Sequence, residues 1–428
     1  MSHSSNNLAR RVGGLSHRWL PFADAATVDL TLPRLWRLSL FQLSTGMAIV
    51  LLTGTLNRVM VVELGQGTSL VSLMLAIPLL LAPARALIGY RSDHHRSYLG
   101  WRRIPYLWSG TLMQFGGLAF MPFALILMIE PHSGPPIIGP IAAMGSFLLT
   151  GLGMHVSQTA GLALATDLAT EESRPRVVAL LYLMLLVGMI SSAVIFAALL
   201  DDFSYVRLIQ VIQSAAVITL ILNVAAMWKQ EVRHPELTDH ERERPTFGSA
   251  WGEFINLPKA RRLLWALGLG TMGFTMQDIL LEPYGAHVLG LSVSETTLLT
   301  ALFAGGMVLA LLMTSRTLRK GVDPIRLASV GVLIGIVAFV AVILSAPLQS
   351  TGLFQIGATL IGVGNGLFAV GMLTAAMVFG GAKMAGLTLG AWGAVQAAAT
   401  GLAMFSGGAI RDLVTGWADA GLLGVAMQ

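Results

Sequence analysis

The chain has 428 residues, of which 55% are hydrophobic and only 11% are charged. A soluble protein of this length needs far more charge to cover its surface, so the composition excludes a soluble globular fold. The formal net charge of +5 does not indicate nucleic-acid binding, because the basic residues fall in short segments between apolar runs. The absence of cysteine excludes disulfides and thiolate metal sites. We therefore expect an integral membrane protein embedded in a lipid bilayer.

Eleven apolar runs are long enough for membrane helices, since a hydrocarbon core of roughly 30 Å needs about 20 helical residues. In chain order they cover residues 38–60, 68–90, 104–128, 138–165, 177–200, 206–227, 263–281, 296–313, 327–346, 353–378 and 385–410. No short apolar core with a cleavage site precedes the first run, so we expect no cleaved signal peptide. The tail after Asp412 is interrupted by Asp419 and is too short to span. The predicted fold class is therefore all-α and polytopic, with about 11 visible transmembrane helices.

A long polar segment with several prolines divides the apolar runs into two groups. We expect a cytoplasmic N-terminal segment at 1–37, a six-helix bundle at 38–228, a cytoplasmic linker at 229–262 and a second bundle at 263–428. Lys and Arg concentrate in every second connecting segment, while the other segments are mainly acidic. Because positively charged loops stay in the cytoplasm, this alternation predicts a cytoplasmic N-terminus and an external C-terminus.

The loop after the second apolar run combines Gly89, Asp93, Arg102 and Arg103. It resembles the loop after the second membrane helix of major facilitator transporters, and this resemblance implies two related helix bundles. Asp93 is suited to face a positively charged helix N-terminus, and the arginines hold the loop in the cytoplasm. We expect this loop to form a cytoplasmic conformational latch with a second charged cluster, which holds Asp167, Arg174 and Arg176.

Six stretches, taken together, resemble the PucC/LhaA family of purple phototrophic bacteria. They are residues 54–64, 85–93, 100–106, 163–176, 277–285 and 390–397. The resemblance implies a major facilitator-like protein of twelve helices in the bacterial inner (photosynthetic) membrane, so the last helix is missing here or the chain is shorter. It also implies a role in assembling light-harvesting antenna complexes, with antenna polypeptides as partners and the reaction centre or bacteriochlorophyll synthase as further candidates. One branch of the family carries the older name of a bacteriochlorophyll synthase subunit, and that branch stays open.

His155 lies well inside an apolar run, unlike the other histidines, and Gln158 follows one turn later. Given the resemblance, His155 is a candidate axial ligand for the magnesium of a bacteriochlorophyll, and Gln158 is a candidate partner for the ring. The alternative is a structural histidine that hydrogen-bonds to a neighbouring helix. Arg85, near the end of the second run, either reaches toward the lipid headgroups or faces a ligand carbonyl or carboxylate.

Asp278 lies about 15 residues into the seventh run, where a carboxyl group indicates a functional site by default. Asp278 and Glu282 are therefore candidates for a cavity or a proton-coupling site, and a structural hydrogen bond is the alternative. Because Pro283 follows, we expect the helix to end there and Glu282 to lie at the membrane interface.

The sequence leaves two functions open. The first is a membrane chaperone that delivers bacteriochlorophyll to antenna polypeptides, and the second is a secondary transporter of a small or amphipathic solute such as a pigment precursor. The scarcity of fixed charges in the apolar runs favours an apolar ligand. No spacing typical of a catalytic or metal-ion site is present, and glycine patterns such as Gly268-x-Gly270-x-x-Gly273 indicate helix packing. An enzyme is therefore not expected.

Overall fold

The computed structural model describes residues 30–81, 88, 92, 101–129, 135–170, 173–231, 256, 258–319 and 321–420. Within these ranges, every regular element is a helix. The predicted latch residues Gly89 and Asp93, together with Arg85 and most of the linker, lie outside the described residues, and the side chains of Arg174 and Arg176 are not described. By length and composition, eight of the described helices can cross a membrane. The all-α, polytopic fold class is confirmed.

The first half of the chain forms α1 to α7. They are α1 (Leu32–Leu38), α2 (Leu40–Ile49), α3 (Thr68–Leu80), α4 (Ile104–Ile129), α5 (Ile138–Leu168), α6 (Arg174–Leu199) and α7 (Tyr205–Met227). Helix α2 continues into two π-helical segments, Val50–Leu56 and Val59–Glu63. Such wider turns are rare in helices and occur often at functional sites.

The second half forms α8 to α12. They are α8 (Pro258–Thr275), α9 (Leu281–Leu289), α10 (Val293–Arg319), α11 (Pro324–Ser345) and α12 (Thr351–Asp419). A short 3-10 segment, Met276–Ile279, separates α8 from α9. The seventh predicted run, 263–281, is therefore not one continuous helix: α8 ends at Thr275, and the tighter turn leads into α9.

Helix α12 contains both of the last two predicted membrane runs. Its earlier part and its later part run in opposite directions relative to α8. Phe354 packs on Gly285 and Phe368 packs on Gly270, so this part of α12 runs antiparallel to α8 and α9. Further along, Val395 lies at Gly268 and Gly407 lies at Met276, so the later part runs parallel to α8. The chain therefore turns back between these two parts.

Glycine allows the membrane helices to approach closely. A Cβ atom added at Gly153 of α5 would lie 2.6 Å from the carbonyl oxygen of Gly110 of α4. A Cβ added at Gly364 of α12 would lie 2.7 Å from the carbonyl oxygen of Gly331 of α11. The hydrophobic effect hardly drives association between helices in lipid. Close van der Waals packing at small residues contributes instead. The glycine content reflects this packing and not a dinucleotide site.

One apolar core connects the two halves at one end of the molecule. It joins Leu56 and Met60 of the first half to Ile279, Met307 and Met404 of the second half. We call this end, which carries Glu63 and Glu295, the outer end. The opposite end, which carries Arg103, Asp167 and Glu231, is called the inner end. The two halves thus pack tightly at the outer end.

Candidate functional site

A central cavity of about 780 Å³ lies between the two halves. Most of its lining is apolar, with Met74, Phe147, Leu186, Phe303 and Met307 among the larger side chains. Its polar lining side chains are Gln42, Thr53, His155, Gln158, Thr159, Tyr182, Gln277, Asp278, Glu282, Thr300, Asn365, Trp392, Gln396 and Thr400. Ligand sites typically measure about 300–1,000 Å³ and combine an apolar wall with a few polar groups. The cavity has both properties.

The first-half wall of the cavity brings together His155 and Gln158, both on α5. His155 is largely buried, with 7% of the residue exposed. Its backbone carbonyl oxygen accepts a hydrogen bond of 2.7 Å from Thr159 Oγ1. Gln158 Nε2 donates to Gln42 Oε1 of α2 at 3.2 Å. This amide pair joins α5 to α2 beside the histidine. Gln42 was not among the predicted site residues, although an amide inside an apolar run is itself a signal.

On the opposite wall, Asp278 lies in the 3-10 segment between α8 and α9. Gln277 Nε2 donates a hydrogen bond to the Asp278 carboxylate. The segment is also tied to the first half, because Asn57 Nδ2 donates to the Ile279 carbonyl oxygen at 3.2 Å. A broken membrane helix that presents polar groups to a central cavity is a recurring way to build a ligand site in transporters.

Glu282 also borders the cavity, in the first turn of α9. The expectation that the helix ends at Pro283 is wrong: α9 runs to Leu289, and Pro283 occupies its first turn, where a missing N–H is tolerated. Glu282 is only 4% exposed, and its Oε1 accepts a hydrogen bond of 2.6 Å from Thr300 Oγ1. A Cβ atom at Gly54 would lie 2.7 Å from the same oxygen. The carboxyl group of Glu282 is therefore packed between the two halves.

Polar contacts close the outer end of the cavity. Arg58 forms an ion pair with Glu63 and donates to the carbonyl oxygen of Leu291 at 3.4 Å. The hydroxyls of Thr55 and Thr297 lie 3.4 Å apart. These contacts link α2 and its π-helical continuation to the second half. Arg58 is visible in the sequence only as a basic residue at a helix end.

Asp412 of α12 makes a further link between the halves. Its carboxylate accepts hydrogen bonds from the backbone N–H groups of Thr68 at 3.2 Å and Ser69 at 2.7 Å. Arg411 donates to the Thr68 hydroxyl. A carboxylate at the first turn of α3 satisfies backbone donors that the helix leaves open. This contact was not predicted, because a capping residue 344 positions away in the chain leaves no local signal.

At the inner end, three of the residues predicted for the latch lie in contact. Arg103 Nε lies 3.0 Å from Asp167 Oδ2, and Arg102 Nη2 lies 3.5 Å from the same oxygen. Arg103 Nη1 also donates to Ser92 Oγ at 2.6 Å. The Glu231 carboxylate accepts from the backbone N–H groups at the start of α4, an arrangement that the sequence did not predict. All these residues belong to the first half or to the start of the linker.

The sequence profile described as PUCC protein matches residues 55–427. The chain belongs to the PucC family. A PucC protein of Rhodovulum sulfidophilum is 51% identical over 420 residues, which are 97% of this chain and 92% of that protein. A second relative, the bacteriochlorophyll synthase 44.5 kDa chain of Rhodobacter capsulatus, is 28% identical over 395 residues, or 89% of this chain and 88% of that protein.

The fold of this chain is like that of solved membrane transporters. The crystal structure of a bacterial homolog of the human lysosomal transporter Spinster, in an inward-facing and unoccupied conformation, matches with a TM-score of 0.67. It is 16% identical, and the match covers 91% of this chain and 85% of that chain. At this level of identity, the likeness shows the fold alone. The protein is thus a multi-pass membrane protein of the PucC family, one of whose relatives is named for bacteriochlorophyll synthase.

Proposed function

We propose that this PucC family protein is an assembly factor for bacterial light-harvesting antenna complexes. In this proposal, it binds bacteriochlorophyll in the cavity between its two halves and releases it to antenna polypeptides. The observation that carries the proposal is the cavity itself, which is mainly apolar and has His155 in its wall. The name of one relative, the bacteriochlorophyll synthase 44.5 kDa chain, supports the chemical class of the ligand.

The chemistry of the lining suits such a pigment. Bacteriochlorophyll is an amphipathic molecule with a large apolar surface, and its magnesium accepts an axial ligand. The imidazole of His155 supplies a neutral nitrogen ligand, as histidine commonly does for metals. The Gln158–Gln42 pair beside it supplies amide groups for polar substituents of the ring. His155 is the residue that would hold the cargo, while the apolar wall would exclude water.

We also propose where the protein lies and which partners it meets. We infer that the inner end faces the cytoplasm of the bacterial inner or intracytoplasmic photosynthetic membrane, because its connecting segments carry most of the Lys and Arg residues. The cavity would then load pigment from the cytoplasmic side while the outer end is closed. Antenna polypeptides are the expected acceptors, and the reaction centre or the bacteriochlorophyll synthase are further partners to test.

The test is purification from cells that make bacteriochlorophyll. The protein is extracted in mild detergent or nanodiscs, and its pigments and small polypeptides are quantified against a membrane protein of similar size from the same cells. We expect bacteriochlorophyll near one molecule per chain together with antenna polypeptides. If the protein carries no more pigment than the reference protein, pigment delivery is contradicted.

A second candidate is secondary transport of a small or amphipathic solute. The observation that favours it is that the outer end is closed by contacts between the two halves, both the apolar core and polar contacts such as Asn57 to Ile279 and Asp412 to Ser69, so opening it would require the halves to separate there. Uptake of pigment by vesicles that contain the purified protein separates the two: a transporter moves ligand across the bilayer without antenna polypeptides, whereas an assembly factor needs them for release.

A further inference from the structure

A second group of uncharged polar side chains borders the central cavity, on the half opposite to His155. Asn365, Gln396 and Thr400 all line the cavity, and all three lie on α12. Asn365 belongs to the earlier part of this helix. Gln396 and Thr400 belong to the later part, where they lie about one helical turn apart.

Gln396 lies at the depth of His155 in the membrane. Gly151 of α5 and Gly401 of α12 pack on neighbouring residues, 78–79, of α3. From there, α5 continues toward the inner end, and the later part of α12 arrives from the inner end. His155 follows Gly151 by four residues and Gln396 precedes Gly401 by five, so both lie about 6–8 Å further inward.

Asn365 and Thr400 lie close to the same depth. Phe368 and Val395 both pack on α8, within residues 268–270. Because the two parts of α12 run in opposite directions, Asn365, three residues before Phe368, is level with Thr400, five residues after Val395, to within about one turn. The three side chains therefore form one polar zone at about the level of the histidine.

The hydrogen-bonding groups of this zone are open to the cavity. In the described part of the chain, no hydrogen bond joins the three side chains to another residue, whereas Gln158 is paired with Gln42. Amides and hydroxyls in a mainly apolar site need a partner, because leaving one without a hydrogen bond costs free energy. Neither group ionises at physiological pH, so its hydrogen bonding does not depend on a charge state. A bound ligand is the partner that the cavity admits.

We propose that Asn365, Gln396 and Thr400 form a hydrogen-bonding subsite that recognises a carbonyl substituent of the ligand. This inference rests on the proposed pigment-binding function and deepens it. Bacteriochlorophyll a carries ketone and ester carbonyls on its periphery, and with magnesium in the ring it has no N–H or O–H group. Its substituents can therefore only accept hydrogen bonds, which side-chain amides and a hydroxyl donate. The subsite selects pigments by a ring carbonyl, while His155 holds the magnesium.

The experiment compares three pigments that differ in one carbonyl each. They are bacteriochlorophyll a, an analogue in which a vinyl group replaces the acetyl group, and an analogue in which a methylene group replaces the ring ketone. Their dissociation constants are measured by fluorescence with the full-length protein in nanodiscs, and empty nanodiscs serve as the blank. We expect bacteriochlorophyll a to bind about tenfold more tightly than one of the two analogues, because that analogue leaves the donors without an acceptor.

The triple variant Asn365→Leu, Gln396→Met and Thr400→Val replaces each polar side chain with an apolar one of similar size. In this variant the tenfold ratio should fall to about one. The single variant Gln396→Met should lower the ratio at least about threefold, and it serves if the triple variant does not fold in thermal unfolding. Gln213→Met is the matched control, because Gln213 is an exposed amide of the membrane helix α7 outside the described lining. It should leave the ratio unchanged.

The outcomes separate this inference from the proposed function. Equal binding of the three pigments by the wild type would overturn the inference, as would a tenfold ratio that persists in the folded variants. An equal loss of affinity for all three pigments would also overturn it, since the residues would then contact the ring and not a carbonyl. In these cases pigment binding itself stands. If none of the three pigments binds to the wild type, the proposed function fails, and the subsite fails with it.

Discussion

Asp412 Oδ2, near the end of the second half, accepts a hydrogen bond of 2.7 Å from the backbone N–H of Ser69 in the first half. The same carboxylate accepts from Thr68, so one side chain caps a helix of the opposite half. Most capping residues stabilise the helix that follows them directly in sequence. This one instead ties the first turn of α3 to the opposite half, so opening the outer end would break the contact.

Replacing Asp412 with alanine should therefore open the outer end. Loss of a capping side chain costs about 1 kcal/mol, and here that cost applies to the closed state. The protein has no cysteine, so spin labels at Asp201→Cys and Leu348→Cys report the distance between the two halves without background. We expect a longer and broader distance distribution in Asp412→Ala. Asp323→Ala is the control, since Asp323 caps α11 within its own half at 2.8 Å and should leave this distance unchanged.

A side chain at position 54, in place of Gly54, should destabilise the protein. A Cβ atom there would lie 2.7 Å from Glu282 Oε1 and 3.1 Å from Thr300 Oγ1, so the buried carboxyl group would have to move. We expect Gly54→Ala to lower the free energy of unfolding by about 1–3 kcal/mol, as overpacking typically does. Thermal unfolding in detergent measures the effect.

Gly305→Ala is the matched control for Gly54→Ala. Gly305 also lies within a membrane helix, but a Cβ atom there would meet nothing within 4 Å. It should be neutral or stabilising by up to about 1 kcal/mol, because alanine favours helix more than glycine does. Equal destabilisation by both substitutions would show that the contact with Glu282 has no special role.

The direction of the protein in the membrane is a separate prediction. Reporter fusions after residue 248 and after residue 428 should report opposite sides, with residue 248 in the cytoplasm. The charge alternation supports this orientation, and the end of α12 lies beside Thr68 and Ser69 at the outer end. If both fusions report the cytoplasm, a further membrane crossing exists after Asp412 or the order of helices is wrong.

Most of the fold could be predicted from the sequence, because the bilayer imposes helix length and apolar composition directly. The run predicted at 104–128, for example, corresponds to α4 at Ile104–Ile129. Hydropathy could not predict the π-helical continuation of α2, because the residues in it are as apolar as their neighbours. In the segment Met276–Ile279 the polar pair Gln277 and Asp278 stood out, but nothing in the hydropathy indicated the tighter 3-10 turn. These irregular turns depend on which backbone hydrogen bonds form.

The candidate site was predicted only in part. His155 and Asp278 stood out because polar groups are rare in apolar runs, and the structure places both at one cavity. Glu282 was expected at the membrane interface, since Pro283 resembled a helix end and not a helix start. Asn57, Glu231 and Asp412 act through contacts with residues distant in sequence, so no local pattern could predict their partners.

In the proposed function His155 holds the pigment, so substitution of His155 gives the most direct test. The bound bacteriochlorophyll per chain is measured by absorption and chromatography after purification from pigment-producing cells, for wild type, His155→Leu, His155→Gln and His287→Leu. His287 is the control because it is an exposed histidine of α9 that does not belong to the described cavity lining. Leucine keeps the site apolar and roughly filled, whereas glutamine retains an oxygen that can bind magnesium weakly.

We predict about one pigment per chain in the wild type and in His287→Leu, a partial loss with a spectral shift in His155→Gln, and at least a tenfold loss in His155→Leu. Size-exclusion profiles and thermal unfolding confirm that each variant is folded. Wild-type pigment content in a folded His155→Leu protein would contradict the account, and His155 would then be a structural histidine that joins neighbouring helices.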